Sequence, residues 1–550
     1  MQKDEIYTIT ITDQTTEGEG IGHAGSFALF VKDTVIGDTV ECRVMKLKKS
    51  YGYAKLLRVV SPSKDRIEAR CPHARPCGGC QIQEMDYAAA LQFKTKKVKE
   101  ALLRIGGFGN VPIRDCIGMT DPWRYRNKAL VPFGRDRDGR VTAGFFAGRT
   151  HTIIETDDCL LSPPEFSMII SAVKEHLERF RIPVYDETSH EGLFRHLLIR
   201  KGFSTGEILI AAVLNGETLP ESERLIASIQ AVLQPFSARL AVFAVNVNKT
   251  PGNVVLSPDT RVLYGPGTIE DRIGSIRFRI SPNSFFQVNP VMTEILYGKA
   301  LEFARLTGKE TVWDLYSGIG SISLFLAKKA GKVYGVEVIP QAIEDANENA
   351  RLNGITNASF FAGRAEEVLP EWAETNPSEQ IDVIVTDPPR EGCDRKCLDT
   401  MLRLSPERIV YVSCNPATLA RDLRILSDGG YRIEEVQPVD MFPWTGHCES
   451  CVLLSKIAAA KHHIYVTVTM DELDLTSAEA KATYQEIRDW VQEKYGIHVT
   501  NLNIADVKRM HGIIERENYN KPKSENARRP KCPEEKVKAI EEALKHFLMI

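Results

Sequence analysis

Residues 291–457 alternate short apolar runs with glycine turns and helical stretches, and no other feature constrains the fold as strongly. Four of the runs are TVWDL, KVYGVEV, IDVIVT and RIVYV. Apolar strands of this length, separated by helices, are typical of a parallel sheet that helices cover on both faces. We therefore predict a Rossmann-like, doubly wound α/β domain over this part of the chain.

The beginning of the chain predicts a separate barrel. Residues 1–62 contain short alternating strands and glycine turns, which indicate a small antiparallel β-barrel of the OB-like kind. Cations and aromatics interleave in its second half, at Lys46, Lys48, Lys49, Tyr51, Tyr53 and Lys55. This combination is suited to binding a nucleic-acid backbone and stacking its bases. Considered without any other feature, it is better explained as a solvated hairpin.

The central segment, residues 63–290, mixes strand and helix patterns, including a helix over about 86–105. We predict a mixed α/β domain here. Basic and aromatic residues in PWRYRNK (122–128) fit a surface that contacts nucleic acid, and a plain structural insertion fits them equally.

Residues 458–550 predict an additional α+β extension of unassigned role. IYVTVTM reads as a strand, and apolar residues at helical spacing predict a helix over about 477–494, namely Ala480, Tyr484, Ile487 and Val491. We expect another helix after Pro533. The basic stretch 523–531 is best explained as a solvated linker.

Composition limits the cellular context. The 550-residue chain has no apolar run of 18 residues, and its first residues lack the segments of a signal peptide. We therefore expect a cytoplasmic protein without a membrane segment. Because the formal net charge is only -3, nucleic-acid binding has to rest on local basic surfaces. Nothing in the sequence indicates an obligate protein partner.

The first turn of the doubly wound domain has the features of a cofactor loop. A strand ends at Asp314, and Gly318 and Gly320 allow a tight turn close to a ligand. The next strand ends at Glu337, whose carboxylate can accept both hydroxyls of a ribose. The three-glycine dinucleotide fingerprint is absent because position 323 is Ser. The shorter loop suits S-adenosylmethionine, which has no pyrophosphate.

Three further residues lie at the predicted carboxyl edge of the same sheet. Asp387 follows IDVIVT, Cys414 follows RIVYV, and Glu449 precedes the last strand, CVLLSK. Ligands bind at this edge in open α/β sheets. A lone cysteine is usually a buried apolar residue, and a lone glutamate is usually a surface residue, so the interpretation depends on the combination.

Cys414 and Glu449 together fit methylation at C5 of a uridine. C5 is a poor nucleophile, but addition of a thiolate to C6 creates an enolate with electron density on C5. After methyl transfer the C5 proton must leave, which requires a base. We therefore expect Cys414 to be the nucleophile and Glu449 to be the base.

Five strings, SPNSFFQVN, DLYSGIG, DPPR, SCNP and FPWTGHCES, resemble in order and spacing the RNA (uracil-5-)-methyltransferases over roughly residues 1–457. The resemblance implies that four residues hold S-adenosylmethionine: Gln287, Tyr316, Glu337 and Asp387. It implies the same roles for Cys414 and Glu449 as the chemistry does, and a TRAM domain, an RNA-binding module, for residues 1–62. Two positions depart from the pattern: Ser317 stands where relatives often have Cys, and Trp444 where some have His.

Four cysteines form a candidate metal site. Cys71, Cys77 and Cys80 are spaced C-x5-C-x2-C, and Cys159 follows downstream. On spacing alone, zinc and an iron–sulfur cluster fit equally. The resemblance favours a [4Fe–4S] cluster with a structural role, because methyl transfer has no redox step. The other cysteines are expected to be free thiols: Cys42, Cys116, Cys393, Cys397, Cys448, Cys451 and Cys532.

The resemblance also narrows the substrate. Family members with both the barrel and the cysteine set resemble bacterial 23S ribosomal RNA methyltransferases, whereas the bacterial transfer-RNA branch typically lacks both. It therefore implies a loop uridine of 23S ribosomal RNA, splayed out to reach the sheet edge. Transfer RNA is the alternative substrate. A non-catalytic RNA-binding factor and a DNA cytosine-C5 methyltransferase are further alternatives, disfavoured by the paired nucleophile and base and by the RNA-type barrel.

Overall fold

The computed structural model describes residues 1–252, 254–457, 484–511 and 533–547. These residues fall into two compact units that divide between residues 458 and 459. Among the helices of the described ranges, none is long and apolar enough to cross a membrane.

The N-terminal barrel has five strands: β1 (Ile6–Gln14), β2 (Gly20–Ala24), β3 (Phe27–Val31), β4 (Thr39–Leu47) and β5 (Tyr51–Ser61). They close in the order β1-β2-β3-β5-β4. Alternate side chains, among them Ile9, Ile11 and Leu29, fill the interior. The predicted barrel is confirmed, but it is not wholly antiparallel. The barrel closes through a parallel pair, β3 with β5, because β4 lies on the far side of β5 and pairs with β1.

A helix and a second sheet follow: α1 (Tyr87–Arg104), β6 (Lys128–Arg135), β7 (Val141–Phe146), β8 (Ile153–Glu155), α2 (Pro164–Arg179), β9 (Phe194–Lys201), β10 (Glu207–Leu214), α3 (Ser222–Leu233), β11 (Arg239–Val247) and β12 (Thr260–Tyr264). The sheet order is β12-β11-β10-β9-β6-β7-β8. Helix α1 matches the predicted helix, and Asp86 caps it by accepting from the amide of Ala88 at 3.0 Å. The predicted mixed α/β character is confirmed.

The two faces of this sheet pack differently. Along β9 and β10, Leu197, Ile199 and Ile210 face α2 and α3. The alternate residues Leu198 and Leu209 instead join the core of the following domain. Because successive side chains of a strand point to opposite faces, the sheet joins the two domains through a shared apolar layer. Strand hairpin β13 (Ile269–Ile273) and β14 (Ile276–Ile280) and helix α4 (Pro290–Ala304) complete that layer.

The doubly wound domain then contains β15 (Thr311–Leu315), α5 (Ser321–Ala327), β16 (Lys332–Glu337), α6 (Pro340–Leu352), β17 (Ala358–Ala362), α7 (Ala365–Thr375), β18 (Val383–Thr386), α8 (Arg395–Leu404), β19 (Arg408–Ser413), α9 (Pro416–Asp428), β20 (Tyr431–Val439) and β21 (Glu449–Lys456). The order β17-β16-β15-β18-β19-β21-β20 confirms the predicted fold class. The sheet is not wholly parallel, because β21 inserts antiparallel between β19 and β20. The chain order reverses between β15 and β18, which is where such sheets bind ligands.

The described part of the C-terminal unit is helical: α10 (Tyr484–Tyr495), α11 (Asn501–Met510) and α12 (Glu534–His546). Ile487 and Val491 lie in its apolar core with Ile504 and Ile540. Helix α12 follows Pro533 as predicted, whereas α11 was not predicted. The predicted strand IYVTVTM, the first part of the predicted helix with Ala480, and the basic stretch 523–531 lie outside the described residues.

Candidate active site

The loop after β15 leaves one side of its backbone open. Tyr316, Gly318 and Gly320 all have positive φ, at 68°, 54° and 81°. A bulky residue rarely adopts that conformation, so the turn at Tyr316 is held by its surroundings, including the 3.0 Å hydrogen bond from the Ser317 amide to the carbonyl of Val336. A Cβ added to Gly318 would meet no atom within 4 Å. The loop is therefore shaped to let a ligand approach its backbone.

Glu337 faces this loop from the end of β16. Its carboxylate accepts from the amide of Gly318 at 3.2 Å and from the amide of Ile339 at 3.0 Å. A carboxylate has about four acceptor positions, so two bonds leave capacity for ribose hydroxyls. Glu337 and Tyr316 line an open cavity of about 710 Å³ together with Arg364 and Pro389. This cavity has the position and the acceptor expected for an adenosine group.

Gln287 and Asp387 meet at the hydroxyl of Tyr297. The buried Gln287 side chain lies against this hydroxyl, and burial together with the nearby Asp387 raises the pKa of Tyr297. Asp387 follows β18, and burial raises the pKa of its carboxyl to about 6. The sequence positions of the two residues are far apart, but the fold brings both to the sheet edge beside the cofactor loop.

Cys414 and Glu449 stand on adjacent strands. Cys414 follows β19 and Glu449 opens β21, and these strands are in register with Ser413 opposite Ser450. The Glu449 side chain is buried, and desolvation together with the nearby Asp387 raises the pKa of its carboxyl well above the ordinary value. Burial, Glu449 and Asp387 raise the pKa of the Cys414 thiol to about 11, against a lowering effect of Arg390. The thiol and the two carboxyls therefore share one electrostatic environment.

A cavity of about 440 Å³ leads from solvent to Cys414. Its walls come from the barrel turn 13–17, from Lys96 and Lys97 of α1, and from Arg390 and His447. Lys97 bridges the walls, because its Nζ donates to the carbonyls of Thr16 at 2.8 Å and Gly446 at 2.7 Å. The sequence patterns did not single out these cations, since KTKKVKE reads as an ordinary solvated helix face.

Comparisons with known proteins agree with this geometry. The sequence profile of the tRNA (uracil-5-)-methyltransferase family matches residues 263–457, and that of the TRAM domain matches residues 2–57. An uncharacterized RNA methyltransferase of Halalkalibacterium halodurans is 48% identical over 454 residues, which are 82% of this chain and 98% of the relative. One from Clostridium tetani is 45% identical over 455 residues, 83% of this chain and 97% of the relative. The chain belongs to the RNA (uracil-5-)-methyltransferase family.

A solved structure of the family has the same architecture. It is the tRNA (uracil-54, C5)-methyltransferase of Pyrococcus abyssi in complex with S-adenosyl-L-homocysteine, which is 27% identical with a TM-score of 0.65. The alignment covers 81% of this chain and 99% of that chain. Family membership confirms that the chain is an RNA (uracil-5-)-methyltransferase that uses S-adenosylmethionine, and that its N-terminal barrel is a TRAM domain.

The four predicted metal-binding cysteines of this RNA methyltransferase come together in the fold. Cys71, Cys77, Cys80 and Cys159 line one cavity of about 340 Å³. Burial and the neighbouring cysteines raise the pKa of the Cys80 thiol to about 12. In the described ranges, no three His, Cys, Asp or Glu side chains converge closely enough for a single metal ion. The other described cysteines are free, as predicted, and Cys532 lies outside the described residues.

Two cations also line the cysteine cavity. They are Arg126 and Lys128, and neither forms an ion pair with any described residue. Burial and the neighbouring Arg200 and Arg126 lower the pKa of Lys128 to about 7. Both side chains are half-buried, and a cation that is partly withdrawn from water is stabilised by a nearby negative group. The wall of the cavity is thus suited to a group with net negative charge.

Proposed function

We propose that this enzyme methylates C5 of a loop uridine in 23S ribosomal RNA, with Cys414 as the covalent nucleophile and Glu449 as the base. The observation that carries the proposal is the placement of Cys414 and Glu449 on adjacent strands, at the end of a cavity whose outer wall is the TRAM barrel. An RNA strand bound to the barrel is thereby led towards the thiol.

The reaction follows from these two side chains. The Cys414 thiolate adds to C6, which forms a C–S bond and moves the electron pair of the 5,6 double bond into the enolate. S-adenosylmethionine supplies the methyl group that C5 takes up. Glu449 then accepts the C5 proton, the double bond re-forms, and the C–S bond breaks with return of the thiolate. Atoms and charge balance without any redox partner.

The raised pKa of Glu449 suits its proposed task. A carboxylate that is poorly solvated is a stronger base than one in water, because protonation relieves the cost of burying its charge. The same burial disfavours the Cys414 thiolate, and Arg390 is the nearby cation that opposes this effect. A positively charged sulfonium bound beside Asp387 would favour the thiolate as well, so cofactor and nucleophile activation are linked.

The four cofactor residues have distinct proposed tasks. Glu337 accepts the ribose hydroxyls, and Tyr316 covers the adenosine in the cavity that both residues line. Gln287 and Asp387, which meet at Tyr297, hold the methionine end of the cofactor. This division matches their positions, since Tyr316 follows β15 and Glu337 ends β16, whereas Asp387 lies near Cys414 and Glu449.

The proposal includes a [4Fe–4S] cluster on Cys71, Cys77, Cys80 and Cys159. The donor set fits, because four thiolates hold such a cluster. All four thiols line one cavity, as the ligands of a single cluster must. The unpaired Arg126 and Lys128 complement the negative charge of a thiolate-bound cluster.

Ribosomal RNA is favoured over transfer RNA because the chain has both a TRAM barrel and the cysteine cavity. Transfer RNA is the second candidate, since the matched family profile and the Pyrococcus abyssi structure are both named for it.

The deciding experiment is mass-spectrometric mapping of 5-methyluridine in ribosomal and transfer RNA from cells with and without the gene. We expect loss of one or more 5-methyluridines from 23S ribosomal RNA, restored by the wild-type gene but not by Cys414→Ala. Loss confined to transfer RNA would move the substrate to the second candidate. An unchanged 5-methyluridine pattern in both RNAs would contradict the proposal.

A further inference from the structure

The loop between β20 and β21 is tied to the segment that carries Cys77 and Cys80. The amides of Gln81 and Ile82 both donate to the carbonyl oxygen of Trp444, at 3.0 and 3.2 Å. The amide of Gly446 in turn donates to Gln81 Oε1 at 3.4 Å. Two consecutive amides on one carbonyl fix the orientation of that peptide, so the loop cannot shift independently of the cysteine segment.

Trp444 is also fixed through its ring. The indole stacks on Trp123, with centroids 4.6 Å apart and planes at 27°, and its Nε1 donates to the carbonyl of Pro122 at 2.9 Å. It packs in the same apolar cluster as Cys80 and Cys159. Its φ is 68°, a strained conformation for a bulky residue that persists only where the surroundings enforce it. Such strain is typical of functional sites.

The loop determines where Glu449 stands. Glu449 is the first residue of β21 and pairs with Val439, the last residue of β20. The loop between these strands therefore leads directly into Glu449, the proposed base. On its other side the loop is held by Lys97, which donates to the carbonyl of Gly446 at 2.7 Å. A strand end is well ordered only when the connection that leads into it is ordered, because few ladder bonds hold the terminal residue.

We infer that Trp444 is a positioning residue for Glu449. The cysteine segment holds Trp444, Trp444 holds the loop, and the loop holds the carboxyl group. The inference rests on the proposed function. It predicts a selective effect, because addition of Cys414 and methyl transfer precede the step in which Glu449 removes the proton. A loosened loop therefore slows release of the methylated RNA more than it slows formation of the covalent adduct.

The experiment compares Trp444→Phe and Trp444→Ala with Trp372→Phe in the full-length protein. Trp372 is a matched control, since it is a buried tryptophan of α7 that packs on Trp313 away from the loop. With uridine RNA, Trp444→Ala should release product on the order of tenfold more slowly, equivalent to about 1.4 kcal/mol, and accumulate a methylated covalent adduct. Trp444→Phe keeps an aromatic ring that can stack on Trp123 but loses the Nε1 donor to Pro122, and should give a smaller effect. Adduct formation on 5-fluorouridine RNA should stay within about threefold of wild type.

Amide hydrogen exchange is a second measurement, and it does not depend on catalytic turnover. The amides of residues 440–449 should exchange faster in Trp444→Ala, and also in Gln81→Ala, which removes the contact to Gly446 without changing a thiol. Wild-type product release and wild-type exchange in Trp444→Ala would overturn the inference. If the wild-type enzyme forms no adduct on 5-fluorouridine RNA, the proposed function fails, and the exchange data alone decide whether Trp444 holds the loop.

Discussion

Lys94 and Asp440 form an ion pair in which neither side chain is exposed to solvent. The pair joins helix α1 to the loop that precedes Glu449. Lys94 Nζ also donates to the carbonyl of Phe442 at 3.0 Å, and Tyr87 donates to Asp440 at 2.9 Å. A helix near the front of the chain thus fixes the loop that precedes the proposed base.

Breaking this pair should be costly. Lys94→Met leaves the Asp440 carboxylate buried without a countercharge, so the free energy of unfolding should fall by about 3–5 kcal/mol. Lys94→Met combined with Asp440→Asn should recover part of the loss, because the double variant buries no charge. Urea denaturation of the wild type, Lys94→Met, Asp440→Asn and the double variant measures the coupling between the two residues. Strictly additive losses would show that the pair contributes nothing.

Cys414→Ala should abolish the covalent adduct with 5-fluorouridine RNA. A base can remove a proton from C5 but cannot remove a fluorine in this way. The wild-type enzyme should therefore remain bound to the RNA through the C–S bond after methyl transfer. Denaturing electrophoresis with labelled RNA detects the adduct. Cys42→Ala, a change at a buried thiol of the TRAM barrel, serves as the control and should form it normally. An adduct in Cys414→Ala would assign the nucleophile to another residue.

Glu449→Gln should trap the step after methyl transfer. The amide cannot accept the C5 proton, so a methylated adduct should accumulate on ordinary uridine RNA.

Because burial and Asp387 raise the pKa of Glu449, the wild-type base is protonated at acidic pH, and wild-type product release should slow as pH falls. Rapid-quench measurements across pH test both statements. Glu435→Gln is the matched control, since Glu435 lies on β20 and pairs with Arg114 at the surface. Undiminished turnover in Glu449→Gln would remove this residue from the mechanism.

Metal content tests the cysteine cavity. Protein purified without oxygen should be brown and contain about four irons per chain. Cys159→Ser should lose colour and iron, whereas Cys451→Ser, a buried thiol of β21, should retain both. One zinc per chain without colour would reverse the assignment.

The sequence predicts the site residues that lie at the ends of apolar strands. Asp387 and Cys414 directly follow apolar strands and Glu337 ends one, and parallel strands present these positions at one edge. Motif order therefore sufficed to predict that they lie on one edge. The antiparallel insertion of β21 could not be predicted, because β20 carries alternating charges in YRIEE and resembles no buried strand.

The walls of the cavity that leads to Cys414 could not be predicted from local sequence patterns, for a different reason. Lys97 acquires its position by contacts with Thr16 and Gly446, which are distant from it in opposite directions along the chain. A helix with alternating lysines gives no sign of which lysine will be enclosed. The same holds for Trp444, whose partners Gln81 and Trp123 belong to the cysteine and central segments.

Asp314 should make the cofactor-free enzyme less stable as pH rises. Burial, with Asp387 nearby, raises the pKa of its carboxyl to about 7, although Ser323 donates to it. The folded state therefore keeps a proton that the unfolded chain releases near pH 4. Below about pH 4 the free energy of unfolding contains the whole contribution of protonated Asp314. This contribution is lost as the pH rises from 4 towards 7, by up to about 1.4 kcal/mol per pH unit. Above pH 7 the loss levels off.

Asp314→Asn removes this titration. Its unfolding free energy relative to wild type should increase from pH 4 to pH 7 and then remain constant. Urea denaturation of the cofactor-free proteins at each pH measures the difference, and Asp428→Asn, at the exposed end of α9, controls for loss of an ordinary carboxyl. A difference that does not vary with pH would mean that Asp314 is ionised in the folded enzyme. The buried carboxyl would then need a cation or further donors, and Ser323 alone among the described side chains donates to it.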